Sequence, residues 1–163
     1  MAAREEDALS TKSRVVVEEE EVWAMRKVEL HAHLSGSIAQ EFLRAKDASF
    51  EAVDVVSARS LAQCFQYFVA VKKVITDLDG LREAARHVFE AYAAEHCVYL
   101  ELRTTPKRFS DDDEDEFAYV RTVREVAADF ADRMDVKLLL SLDRGAVDSL
   151  ATAKRGVGLL GDS

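Results

Sequence analysis

The 163-residue chain reads as an α/β protein built on a parallel sheet. Three observations lead to that reading. Residues 28–34, 98–103 and 136–143 alternate apolar and polar side chains with a period of two, as half-buried strands do. Between them lie segments whose apolar residues recur every three or four positions, long enough to serve as right-handed crossover helices between parallel strands. Finally, in each alternating stretch the polar side culminates at the C-terminal end: His31 and His33 in the first, Glu101 and Arg103 in the second, Asp143 in the third. That is the end of a parallel sheet or barrel where ligands bind.

Composition narrows the class further. With 48% hydrophobic and 33% charged residues, the chain can build a core and stay soluble. A formal charge of −9 argues against a nucleic-acid or anionic membrane surface, either of which needs clustered Lys and Arg. A small-molecule partner is expected instead. Cys64 and Cys97 are far apart with no CxxC spacing, so neither a disulfide framework nor a cysteine zinc site is indicated. The acidic N-terminal stretch has no signal-type apolar segment and no run is long enough to span a bilayer, from which a cytoplasmic location is expected.

Taken in order, residues 1–24 form a polar arm ending in the acidic run Glu18–Glu21, a solvated segment or frayed helix before a domain at 25–163. In the first strand Val28 and Leu30 should face the core, opposite Glu29, His31 and His33. Ser37 with Gln40 has the spacing of a capping box, and Ile38, Phe42 and Ala45 follow at helical spacing. From Ser60 to Ile75 the stripe Leu61, Cys64, Phe65, Phe68, Val71 and Ile75 predicts an amphipathic helix with a buried apolar face, beside which Lys72 projects a cation. Leu81, Ala85, Val88, Phe89 and Tyr92 predict the next helix, ending near His96. The second strand has Val98, Leu100 and Leu102 opposite Tyr99, Glu101 and Arg103, and stops at Thr104-Thr105-Pro106. The acidic run Asp111–Glu116 suits the entry of a helix, where negative charge opposes the macrodipole. The stripe of that helix is Phe117, Val120, Val123, Ala127, Phe130 and Met134. A third strand follows from Val136 to Asp143.

The chemistry sits in the first strand. His31 and His33, two residues apart on one face, lie about 7 Å apart at Cα, which lets both rings reach one metal ion. A catalytic zinc usually takes three protein ligands and keeps one open position, so the pair alone is an incomplete shell.

Lys27-Val28-Glu29-Leu30-His31-Ala32-His33-Leu34 resembles the opening strand of the metal-dependent adenosine deaminases. Ser60 through Thr76, Val98 through Arg108, and Ser141-Leu142-Asp143-Arg144 resemble the adenosine-deaminase-like branch acting on N6-methyl-AMP, so the likeness spans residues 27–144. It implies the N-terminal portion of a (β/α)8 barrel, incomplete here because such barrels run to about 250 residues. It also implies zinc ligation by His31 and His33, with His33 near the substrate. Ser35 stands where relatives carry Asn or Asp toward the sugar or phosphate, a shorter hydrogen-bonding group. Lys72 falls where monophosphate-specific relatives carry a His, and would supply a point charge. Arg103, Thr104, Thr105 and Pro106 would cradle phosphate or ribose, Asp143 would line the same rim, and Gly161 would meet the purine. The reaction implied is hydrolytic removal of methylamine or ammonia at C6 of a purine nucleoside or its monophosphate, by a monomeric full-length enzyme. The family's third histidine ligand, aspartate ligand and glutamate proton shuttle are not found in these 163 residues. The expected function is therefore that of an incomplete, inactive portion of such a deaminase. The alternative is a non-catalytic half-barrel that binds a partner.

Overall fold

The computed structural model describes residues 18–54, 57, 60–109 and 117–142. A short exposed helix α1 (Glu19–Ala24) leads into strand β1 (Lys27–His33). A 3-10 turn (Leu34–Gly36) and helices α2 (Gln40–Lys46), α3 (Leu61–Val74) and α4 (Leu78–Ala94) follow. Strand β2 (Cys97–Thr104), helix α5 (Ala118–Ala128) and strand β3 (Asp135–Leu140) complete the described elements. The three strands form one parallel sheet in the order β1-β2-β3.

Alternation places the core. Leu100 and Leu102 of β2 are fully buried under α4 and α5, which contribute Ala84, Ala85, Val88 and Phe89 and then Val120, Val123 and Val126. Phe89 and Phe130 meet across these layers with ring centroids 5.5 Å apart. Asp77 caps α4, its carboxylate accepting from the Gly80 N–H at 2.7 Å, and Ser60 caps α3 through a reciprocal box with Gln63. The sequence expectations for α4, α5 and all three strands are met in type and order.

Three local expectations are corrected. Ser37 and Gln40 form no capping box: α2 begins after Ala39 without a side-chain cap, and Ser37 Oγ instead donates to the His33 carbonyl at 2.9 Å. Gln40 turns away to hold Val53, donating to its carbonyl at 2.8 Å and accepting from its N–H at 2.9 Å. In α3 the buried row is Tyr67, Val71 and, at the cap, Ile75, whereas Leu61 (73% exposed) and Phe65 (53%) face solvent. The helix docks from its middle onward, where the Tyr67 hydroxyl donates to the Ile38 carbonyl. Val28 and Leu30 are also exposed, at 59% and 57%: the register sets Val28 beside Tyr99, on the face opposite the buried Leu100, and Leu30 lies where the pairing with β2 is interrupted.

Lys27 fastens the start of the sheet. Its ammonium donates to the carbonyls of Trp23 (2.9 Å), Met25 (3.4 Å) and Glu95 (2.8 Å) and lies 5.2 Å from the Trp23 ring centroid. Next to it His96 takes a left-handed backbone at φ 61°, the turn that passes the chain from α4 into β2.

Candidate functional site

The C-terminal end of β1 carries the two imidazoles side by side, with ring centroids 5.4 Å apart and planes tilted by 36°. Both are exposed on the polar face of the sheet. The turn after them is tightly held, since the His33 carbonyl accepts from both the Ser37 N–H (3.0 Å) and the Ser37 hydroxyl. α3 packs against this turn at Gly36, where a Cβ would meet the His33 Cβ and the Phe68 ring at 3.7 Å, an ordinary contact distance. Ser35 lies half-buried within this turn.

Partial burial, reinforced by the nearby charges of His31 and Arg103, lowers the His33 pKa below the ordinary histidine value. The neutral imidazole is the ligating form, so this environment favours metal binding. The donor set fits two positions of a zinc shell and supplies no more: among the described residues no group of three or more His, Cys, Asp and Glu is placed to hold an ion.

Register brings Arg103 of β2 level with His33. Its guanidinium is turned onto β1, donating to the Leu30 carbonyl at 2.9 Å, with the Glu101 carboxylate 3.9 Å away. The expected phosphate cradle is therefore only partly assembled at this strand end. Thr104 points the other way, as period-two alternation requires, and its buried hydroxyl shares a 2.8 Å hydrogen bond with the Tyr119 hydroxyl of α5. Thr105 is exposed and Pro106 half-buried at the start of the following loop.

One further cation near this strand end was not singled out by its own pattern. Lys107 crosses from that loop to the end of α3, where its ammonium donates to the Ile75 carbonyl at 3.3 Å and lies 4.4 Å from the Phe109 ring centroid. Half-burial, and then the charge of Lys72, lower its pKa from the usual lysine value. Two cations thus converge near the rim, although a surface cation in the last turn of α3 also complements that helix dipole. Asp143 and Gly161 lie outside the described residues, as does the acidic run Asp111–Glu116.

No protein-family profile matches the chain. It is similar to an N6-mAMP deaminase of Arabidopsis thaliana, with 34% identity over 86% of this chain and 51% of the relative. Its structure superposes on Arabidopsis ADAL complexed with IMP at a TM-score of 0.70, with 33% identity over 86% of this chain and 47% of that one. A zinc-bound cog1816 amidohydrolase from Burkholderia ambifaria shares the fold at a TM-score of 0.55 and 20% identity, covering 88% of this chain and 43% of that one. The chain spans about half the length of the curated relative from Arabidopsis, 51%.

Proposed function

Because the chain is a homologue of the N6-methyl-AMP deaminase and adenosine deaminase-like proteins, corresponding to about half of their barrel-type fold, we propose that it carries the first part of a metal-dependent purine deaminase site, one that acts on a 6-aminopurine nucleoside monophosphate such as N6-methyl-AMP. The observation that carries the reading is the pair of imidazoles at the C-terminal end of β1.

In this reading His31 and His33 hold the ion, for which zinc is the natural choice given two imidazole nitrogens and a hydrolytic reaction. Bound there, zinc supplies a water acidic enough to act near neutral pH. His33 reaches toward the substrate beside the turn that holds Ser35, whose hydroxyl is short and suits a single hydrogen bond to the ribose or phosphate. Lys72 and Lys107 supply cations for the phosphate, Lys107 from a partly desolvated position where a charge-assisted bond is stronger than in water. Thr105 and Pro106 belong to the same loop. Cytoplasmic action fits the two free thiols, Cys64 and Cys97.

Equilibrium titration of the zinc-loaded chain tests the proposal. N6-methyl-AMP should bind about 10- to 100-fold more tightly than N6-methyladenosine, and Lys72→Ala or Lys107→Ala should erode that preference. The same chain should release no methylamine, because the glutamate that would move the proton at N1 is not among its residues and such a group is worth about 10²–10⁴ in rate. Equal affinity for nucleotide and nucleoside, in parent and variants alike, would remove the phosphate reading.

A further inference from the structure

Pairing between β1 and β2 is not continuous. Glu29 pairs with Leu100 and Ala32 with Leu102, so three steps along β1 match two along β2, and Leu30 and His31 have no partner in the ladder. One extra residue in a strand bends it, frees backbone groups and re-aims the neighbouring side chains; bulges are rare between parallel strands. Two of the backbone groups in this gap, the carbonyl of Leu30 and the N–H of His31, belong to one peptide unit.

Both ends of that unit are held by charged side chains. Glu29 Oε1 accepts from the His31 N–H at 2.7 Å, and Arg103 Nη1 donates to the Leu30 carbonyl at 2.9 Å. Arg103 is steadied in turn, with Glu101 Oε2 at 3.9 Å from Nη2 and the Tyr99 hydroxyl donating to Glu101 Oε1 at 3.3 Å. A peptide plane gripped at its oxygen and at its nitrogen cannot rotate, and the Cα of His31 is fixed to that plane. Arg103 is also the register partner of His33, so one guanidinium is placed against both histidine positions.

We propose that Glu29 and Arg103 are positioning residues: they clamp the Leu30–His31 peptide plane and so hold His31 in the orientation in which it and His33 ligate one metal ion. The inference rests on the reading of the two histidines as metal ligands. It assigns the Arg103 guanidinium to the backbone of β1, where the sequence places it among phosphate contacts. Outer partners of this kind typically change metal affinity by about 10- to 100-fold when removed.

The test loads the 163-residue chain with Cu2+ as a spectroscopic probe and reads two quantities, metal affinity and the number of imidazole nitrogens coupled to copper in the EPR spectrum. The parent should show two nitrogens. Glu29→Ala and Arg103→Met should each weaken binding at least tenfold and lose one coupled nitrogen, while Glu29→Gln, which keeps an acceptor oxygen at the same reach, should keep both. A role confined to stability would lower the melting temperature and leave the nitrogen count of the folded variants at two, which overturns the proposal. If either truncating variant fails to fold, amide hydrogen exchange of His31 in the parent decides: protection is expected, and exchange at the rate of a free amide overturns the clamp. A parent spectrum unchanged in the His31→Ala/His33→Ala variant refutes the metal-ligand reading itself. Two nitrogens in the parent together with two in Glu29→Ala and Arg103→Met refute only the clamp.

Discussion

At the scale of single residues, the Lys107 amine is subject to four influences: partial burial and the Lys72 charge disfavour its protonated form, while the Ile75 carbonyl and the Phe109 ring hold it in place. The first two prevail and its pKa falls. A phosphate needs the protonated amine, so nucleotide binding should fade with rising pH before the ordinary lysine range is reached. Stability has the opposite sign, since above the lowered pKa the unfolded chain holds the extra proton and folding gains as pH climbs. Lys107→Arg, always charged, should carry nucleotide binding to higher pH in a titration series. Identical pH profiles for the two proteins would show that Lys107 does not meet the phosphate. His31 and His33 were legible because a period of two needs only the residues themselves. The clamp on their backbone was not, because the missing ladder partners of Leu30 and His31 depend on a register with β2 that no local pattern contains. Thr104 illustrates the converse: alternation from Arg103 already turns it toward the helices, although its place in the Thr-Thr-Pro block associates it with the rim.

At the scale of elements, that same Thr104 hydroxyl ties β2 to α5 through Tyr119. The two oxygens are buried and satisfy each other, so removing one strands the other. Tyr119→Phe should cost about 1–3 kcal/mol in urea unfolding, and the pair Thr104→Val with Tyr119→Phe should recover most of it. Strictly additive losses would show that the bond is not what joins the two elements. Helices α4 and α5 were readable since their apolar stripes are the faces that became buried. Helix α3 was readable in its extent but not in its docked face: its apolar positions spread over more than one side, and the choice of Tyr67, Val71 and Ile75 is made by what α3 meets at Ile38. The unused box at Ser37 has a similar origin. Its hydroxyl closes the turn after His33, and Gln40 is drawn to the backbone of Val53, a long-range pairing absent from any helix-start pattern.

At the scale of the whole molecule, the parallel sheet has three strands among the described residues, with β1 and β3 at its margins, and β1 leaves Val28 and Leu30 more than half exposed. Relatives about twice as long share this fold, and a closed barrel has no such margins. The 163-residue chain should therefore self-associate in a concentration-dependent way, visible by sedimentation velocity, and Val28→Thr with Leu30→Thr should shift it toward monomer. Concentration-independent sedimentation of the parent as a monomer would contradict this. The parallel order was legible from alternation and crossover helices, and the span of about half the relatives' length from length against the family resemblance. The charged polar face was legible as a rim, but the turn of the Arg103 guanidinium onto the Leu30 carbonyl, beside the exposed histidine pair, came only with the coordinates. Isothermal titration of Zn2+ into the parent, His31→Ala, His33→Ala and the doubly substituted chain tests the central claim most directly. Binding that is modest in the parent, reduced by each single change and abolished by both is the expected result; binding that persists at parental affinity in the doubly substituted chain would contradict the assignment of these two histidines as the metal pair.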